Sequence, residues 1–197
     1  MDFTSTISQF YKKEIIQSHI EEIPPLTYAG FSNLERFTCS SCLKQIGDLA
    51  FVNCKSLEEI RFNESLEAIG KGAFGNCWSL KDLNLYPTKI KSFNTNVYTD
   101  NKALYYGYGQ ICNIVFPKTL ERIEGIITSE SCFEIPNPET EILIEPCVNN
   151  NEIIIIAPAN SKSHEYAIAH KLTFVELTDG NPVNTTVYKT DDKQIGR

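Results

Sequence analysis

Leu43-Lys-Gln-Ile46-Gly47-Asp-Leu-Ala50-Phe51-Val-Asn53-Cys54-Lys-Ser56-Leu57-Glu-Glu-Ile60-Arg-Phe62 recurs 23 residues later, without a gap, as Leu66-Glu-Ala-Ile69-Gly70-Lys-Gly-Ala73-Phe74-Gly-Asn76-Cys77-Trp-Ser79-Leu80-Lys-Asp-Leu83-Asn-Leu85. A fixed period of this kind marks a solenoid. Ile60 and Phe62, like Leu83 and Leu85, are two residues apart and face one side of a strand. One such unit cannot bury that side alone. Stacked units can, which places consecutive strands side by side and parallel. The Ala50-Phe51 and Ala73-Phe74 pairs lie on the return path and plug the core from the convex side. Asn53 and Asn76 are expected to bond backbone groups in the turn, and Cys54 and Cys77 to act as small apolar fillers.

The frame extends both ways. Ile20, Ile23, Tyr28, Leu34 and Phe37 form a worn copy one period earlier. Ile111, Ile114 and Phe116 repeat the spacing of Leu80, Leu83 and Leu85 after an interval longer than one period, so extra residues lie between Leu85 and Ile111. Phe133, Ile135 and Ile142 then repeat Ile114, Phe116 and Ile123 at a shorter period, and Ile154 and Ile156 repeat Phe133 and Ile135 in turn. The pattern predicts strands near 34–39, 57–62, 80–85, 111–116, 132–135, 153–156 and 173–177.

These residues resemble the BspA-like leucine-rich repeat family, whose pattern reads roughly L-x-x-I-G-x-x-A-F-x-N-C-x-S-L-x-x-I-x-I/L-P. The likeness is close over 43–85 and weaker over 20–39 and 111–156. Residues 153–174 are similar to the family's closing segment of strand, small-residue turn, short helix with a Tyr-Ala pair (Tyr166-Ala167) and last strand. The resemblance implies a short right-handed leucine-rich-repeat horseshoe, an α/β repeat solenoid with one parallel sheet. It implies protein binding rather than catalysis.

Three segments frame the solenoid of 20–177. Phe3, Ile7, Phe10, Tyr11 and Ile15 have helical spacing, so 4–18 is read as an amphipathic helix within an N-terminal cap, 1–19. An insertion near 94–110 carries Tyr98, Tyr105, Tyr106 and Tyr108 with Gly107 and Gly109. Tyrosines on a glycine-loosened loop suit a binding surface, and they equally suit packing back on the solenoid flank. Residues 178–197 read as a polar tail, or as a terminal hairpin strand over Val183–Lys189.

Composition excludes several classes. The chain has 197 residues, is 42% apolar and carries a net charge of −7, which argues against a general nucleic-acid binder. Its longest aliphatic run, 153–157, is far short of the roughly 20 residues that cross a bilayer. No secretory signal is visible at the start, so the expected location is the cytoplasm, with the cell surface or secretion as the alternative. Seven cysteines, an odd number, read as reduced thiols. Residues 119–152 hold eight glutamates against Arg122, which accounts for the whole net charge.

Chemistry is sparse. Cys39-Ser-Ser-Cys42 has redox or half-zinc spacing, but no second pair follows, and the frame puts Cys39 at an inward strand position. His164 and His170 are six apart and face different sides of a short helix. Asn63-Glu-Ser65 and Asn184-Thr-Thr186 match the glycosylation acceptor. No cofactor and no metal are expected, and a monomer is.

The function expected is non-enzymatic protein binding. It would use the outward ladders of the sheet, Arg36, Glu59, Asp82 and Thr38, Arg61, Asn84, or the loop Tyr105, Tyr106 and Tyr108. The acidic block with Glu134, Glu139 and Glu141 would suit a basic protein partner. Two alternatives stand beside this: an adhesin whose export signal is absent from this chain, and a cytosolic inhibitor or immunity protein against a basic toxin.

Overall fold

Strands fall where the two-residue alternation put them, in a computed structural model that describes residues 13–16, 18–94, 113–127, 131–146 and 153–178. On one side run β1 (Glu14–Ile16), β3 (Arg36–Thr38), β5 (Glu59–Arg61), β7 (Asp82–Asn84), β9 (Asn113–Val115), β11 (Ser131–Glu134), β13 (Ile153–Ala157) and β14 (Thr173–Glu176). On the other run β2 (Glu22–Ile23), β4 (Gln45–Ile46), β6 (Ala68–Ile69), β8 (Ser92–Asn94), β10 (Arg122–Ile127) and β12 (Glu141–Pro146). Among the described residues one short helix, α1 (Lys162–Ala169), takes the place of a further strand beside β12. Every ladder among the described residues is parallel, and they form a β-solenoid.

The sheet is not single. Its hydrogen-bonded orders are β1-β3-β5 and β7-β9-β11-β13-β14 on one side, and β2-β4-β6 and β8-β10-β12 on the other. β5 and β7 are neighbours that share no ladder. The second side went unread because its first strands are two residues long, too short for an alternation to register.

The expected parity holds where the repeat is strict. Leu83 and Leu85 are buried between exposed Asp82 and Asn84. Ile60 is buried and Arg61 exposed, while Phe62 and Glu59 are half-buried. The regular period, the lengthened one and the shortened one appear directly in the pairs Phe37↔Ile60, Leu83↔Ile114 and Ile114↔Phe133. The next frame is off by one. Phe133 pairs with Ile155, not Ile154. Ile153, Ile155 and Ala157 point into the main core, and Ile154 and Ile156 join a separate cluster with Cys132, Val175 and Leu177. In an unbroken isoleucine run, no polar residue marks which parity is inward.

The helix read over 4–18 fails where it is described. Glu14–Ile16 is a strand in register with β3, and Ile15 packs on the core while Ile16 is exposed. An extended Ile15 gains a ladder on Phe37, which outweighs the helical spacing. Residues 1–12 lie outside the described residues, as do 95–112 and 179–197.

A third ladder joins the return paths. Leu26, Tyr28 and Gly30 donate their N–H to Asp48, Ala50 and Val52, and Leu49, Phe51 and Asn53 repeat this on Lys71, Ala73 and Gly75. Two residues per coil hold left-handed φ, each in step with the repeat: Leu26, Leu49 and Gly72, then Gly30, Asn53 and Asn76. Asparagine tolerates that conformation. Its side chain does something other than expected: Asn76 Nδ2 donates to Asn53 Oδ1 at 3.0 Å, coil to coil, rather than to backbone. Inside, Tyr28, Phe51 and Phe74 stack in a column at centroid distances of 5.1 and 5.6 Å, close to the ~4.8 Å strand spacing. Cys54 and Cys77 are buried beneath it and donate their thiols to the carbonyls of Tyr28 and Phe51 at 3.0 and 3.1 Å.

The solenoid's far end is sealed by α1. Asn160 turns at φ 57°, and Ser161 Oγ accepts from His164 N at 3.1 Å as the N-cap. Tyr166 donates its hydroxyl to Ile144 O at 2.6 Å, and Ala167 is fully buried. The Tyr-Ala pair therefore fixes the helix to β12.

Candidate protein-binding face

Inward side chains on β1, β3 and β5 leave two outward rows. Register places Glu14, Arg36 and Glu59 in one, and Ile16, Thr38 and Arg61 in the other. Arg36 Nε lies 3.8 Å from Glu14 Oε1, and Arg61 Nε donates to Glu59 Oε1 at 2.7 Å. Asp82 and Asn84 continue the face beyond the break in the ladder, but their register partners are Asn113 and Val115, not Glu59 and Arg61. Asn113 Nδ2 donates to Asp82 Oδ1 at 2.5 Å. Asn84 Oδ1 accepts from Tyr86 N, so part of that side chain is spent on a turn. The result is an exposed surface of mixed charge with one large apolar side chain, Ile16.

Outward positions on the later strands are different. Val115, Cys132, Glu134 and Ile156 are buried although they sit opposite to the core-facing Ile114, Phe133 and Ile155. Glu134 is 0% exposed, which corrects its reading as a surface glutamate. Its parity was right and its environment was not, since a strand's alternation gives the direction of a side chain and not its burial.

The acidic block is also less acidic than its sequence. Glu121 is held by Lys91 at 3.0 Å, and Glu139 and Glu141 lie 3.5 and 3.7 Å from Lys162 Nζ. These groups, with Ser92 and Arg122, line a groove of about 420 Å³ beside β8, β10 and β12. Lys162 was missed because it lies outside the block. The available signal was its place in the sequence, one coil on from Glu139 and Glu141. Tyr105, Tyr106 and Tyr108 lie outside the described residues.

A family model described as the BspA type leucine rich repeat region matches residues 21–141 in six copies. The chain belongs to that family. It is similar in fold to the crystal structure of a T. pallidum leucine-rich repeat protein, with 17% identity, a TM-score of 0.51, and 84% of this chain and 86% of that one covered. A leucine-rich repeat protein from Bacteroides ovatus is also similar, at 18% identity and TM-score 0.42, over 82% of this chain and 53% of that one. No curated protein matches the chain. Leucine-rich repeat chains of this kind are generally protein-interaction modules rather than enzymes.

The cysteines and histidines of this BspA-type chain that the spacing singled out sit as follows. Cys39 is in the core, where burial pushes its thiol up to about 12, while Cys42 is exposed. An inward thiol and a surface thiol do not make a reactive dithiol. His164 stacks on Phe174 at 4.0 Å with Nδ1 accepting from Asn160 N, and His170 stacks on Tyr166 at 4.2 Å. Asn63 is half-buried, and its Nδ2 donates to Ser40 O. The same nitrogen would have to carry a glycan. Asn184 lies outside the described residues. Among the described residues no group of three His, Cys, Asp or Glu side chains is placed to hold a metal, and no helix is long and apolar enough to cross a membrane.

Proposed function

We propose that the chain is a non-enzymatic binding module that docks a protein partner on the outward rows of β1, β3, β5 and β7. The observation that carries this is the contrast along one face. Glu14, Ile16, Arg36, Arg61, Asp82 and Asn84 are exposed, whereas on the later strands Val115, Cys132, Glu134 and Ile156 are buried and Asn113, Ile154, Thr173 and Val175 half-buried. The ion pairs of Lys91 and Lys162, and the burial of Glu134, favour this face over the acidic block. Cytoplasm is the proposed location, because Cys54 and Cys77 serve as thiol donors to carbonyls and a reducing compartment keeps them so.

The test is affinity capture with the native chain, identification of the captured protein, and binding kinetics on variants. Arg36→Glu with Arg61→Glu should weaken binding about tenfold or more, as reversal of contacts at an interface does. Glu139→Gln with Glu141→Gln should leave it within about twofold, as rim charges do. The opposite result moves the site to the acidic groove.

A further inference from the structure

The groove beside β8, β10 and β12 stands on a fixed backbone. Glu121 N and Arg122 N both donate to Lys91 O, at 2.7 and 3.1 Å, Glu141 N donates to Glu121 O at 2.9 Å, and Lys162 N donates to Pro138 O at 3.0 Å. Register puts Ser92, Arg122 and Glu141 side by side, with Arg122 on the middle strand. The charges are unevenly matched. Lys91 is paired with Glu121, and the single ammonium of Lys162 is shared by Glu139 and Glu141. Arg122 is exposed and lines the groove, yet among the described residues its side chain makes no ion pair and no hydrogen bond. A fixed positive charge with five N–H donors is therefore open at the middle of the groove. Two residues along the same strands, Asn94, Glu124 and Leu143 form the next outward row. Glu124 is engaged on the β8 side, where it accepts from Asn94 Nδ2 at 3.5 Å, and Leu143 on the β12 side is 56% exposed.

We infer that this groove binds an extended polypeptide segment of a partner, with an acidic side chain of the segment on Arg122 and an apolar one, two residues along, against Leu143. The sign is the reverse of what the glutamates of the block suggest. Each of the groove's three glutamates lies within 4.0 Å of a lysine, and the group left over is the guanidinium. A guanidinium takes a carboxylate in a planar, two-pronged pair. Spacing defines the rest of the occupant. Arg122 and Leu143 stand on neighbouring strands two residues apart in register, a diagonal of about 7–8 Å. Side chains two apart on an extended segment are separated by about 6.6 Å, so one segment reaches both. A small anion would use Arg122 and gain nothing from Leu143. The strands are already ordered by their ladders, so binding need not order them. The groove lies on the side of the solenoid that carries β8, β10 and β12, and the inference stands apart from the reading of the face of β1, β3, β5 and β7.

The test titrates the native chain, followed by two-dimensional NMR, with a capped peptide that has no terminal charge, Thr-Thr-Glu-Thr-Leu-Thr-Thr. Its threonines favour an extended chain. Three companions replace the glutamate by glutamine, the glutamate by lysine, or the leucine by serine. The first peptide should move the Arg122 Nε–H and Leu143 methyl signals, and should bind about threefold tighter or more than each companion, the scale of one exposed charged pair. Arg122→Gln removes a side chain with no internal partner, so the rest of the spectrum should stay in place while the glutamate and glutamine peptides come to bind equally. Glu139→Gln with Glu141→Gln should tighten the glutamate peptide, because two like charges leave the groove. Preference for the lysine peptide overturns the inference and makes the groove a seat for a basic partner. So does equal binding of the glutamate and glutamine peptides by the native chain, or an absence of shifts at Arg122 and Leu143 with the peptide at millimolar concentration.

Discussion

Gly70→Ala tests whether coil-to-coil approach, rather than backbone freedom, is why glycine follows isoleucine in this repeat. Gly70 N donates to Ile46 O at 2.7 Å, and Lys71 N to Asp48 Oδ1 at 2.8 Å, so the residue sits against the coil before it. A Cβ on Gly70 would lie 2.5 Å from Asp48 N and 2.6 Å from Gly47 C. Both are backbone atoms, so no side chain can swing aside. Ordinary contact is about 3.5 Å, and the coils would have to part by roughly 1 Å. Two hydrogen bonds lengthen with them. The expected loss is about 3 kcal/mol, the upper end for overpacking. Gly30→Ala is the control, because Gly30 has φ 78° and open space around it. Its cost is conformational alone, about 1–2 kcal/mol. Urea unfolding at constant slope gives both numbers, and melting should fall by about 6–12 °C for Gly70→Ala in a chain of this size. A loss below about 1 kcal/mol, or one smaller than for Gly30→Ala, refutes the close-approach argument.

Two further predictions concern the core and its thiols. Leu83→Ala should cost about 2–5 kcal/mol in the same assay, since Leu83 is 1% exposed between two coils; a loss under about 1 kcal/mol would place it outside the core. Stability should be flat near neutrality and fall as pH rises through about 9 to 12. Burial pushes the Cys39 and Cys132 thiols and the Tyr166 hydroxyl up to about 12, with the charge of Glu134 adding to the effect at Cys132. The unfolded chain gives up the thiol protons from about pH 9 and the tyrosine proton from about 10, while the folded chain still holds them. Tyr166→Phe should therefore flatten the part of the decline above about pH 10, as measured by urea midpoints across that range; an unchanged slope there refutes the assignment.

The strict copy of 43–62 at 66–85 by itself determined that strands stack in parallel, that Leu83 and Leu85 point inward, and that Phe51 and Phe74 fill the core, because a strict repeat forces equal positions into equal environments. It also carried the frame across the insertion to Ile114 and on to Phe133. Only the tertiary structure decided the rest. Glu14–Ile16 is a strand because β3 offers it a ladder, which no local spacing records. The register of β13 had to come from pairing, since five apolar residues in a row carry no parity. Lys162 became part of the acidic groove because one coil brings it beside Glu139 and Glu141. Glu134 kept its outward position and lost its exposure, because burial depends on what lies over a face, and a strand's own sequence describes only the strand.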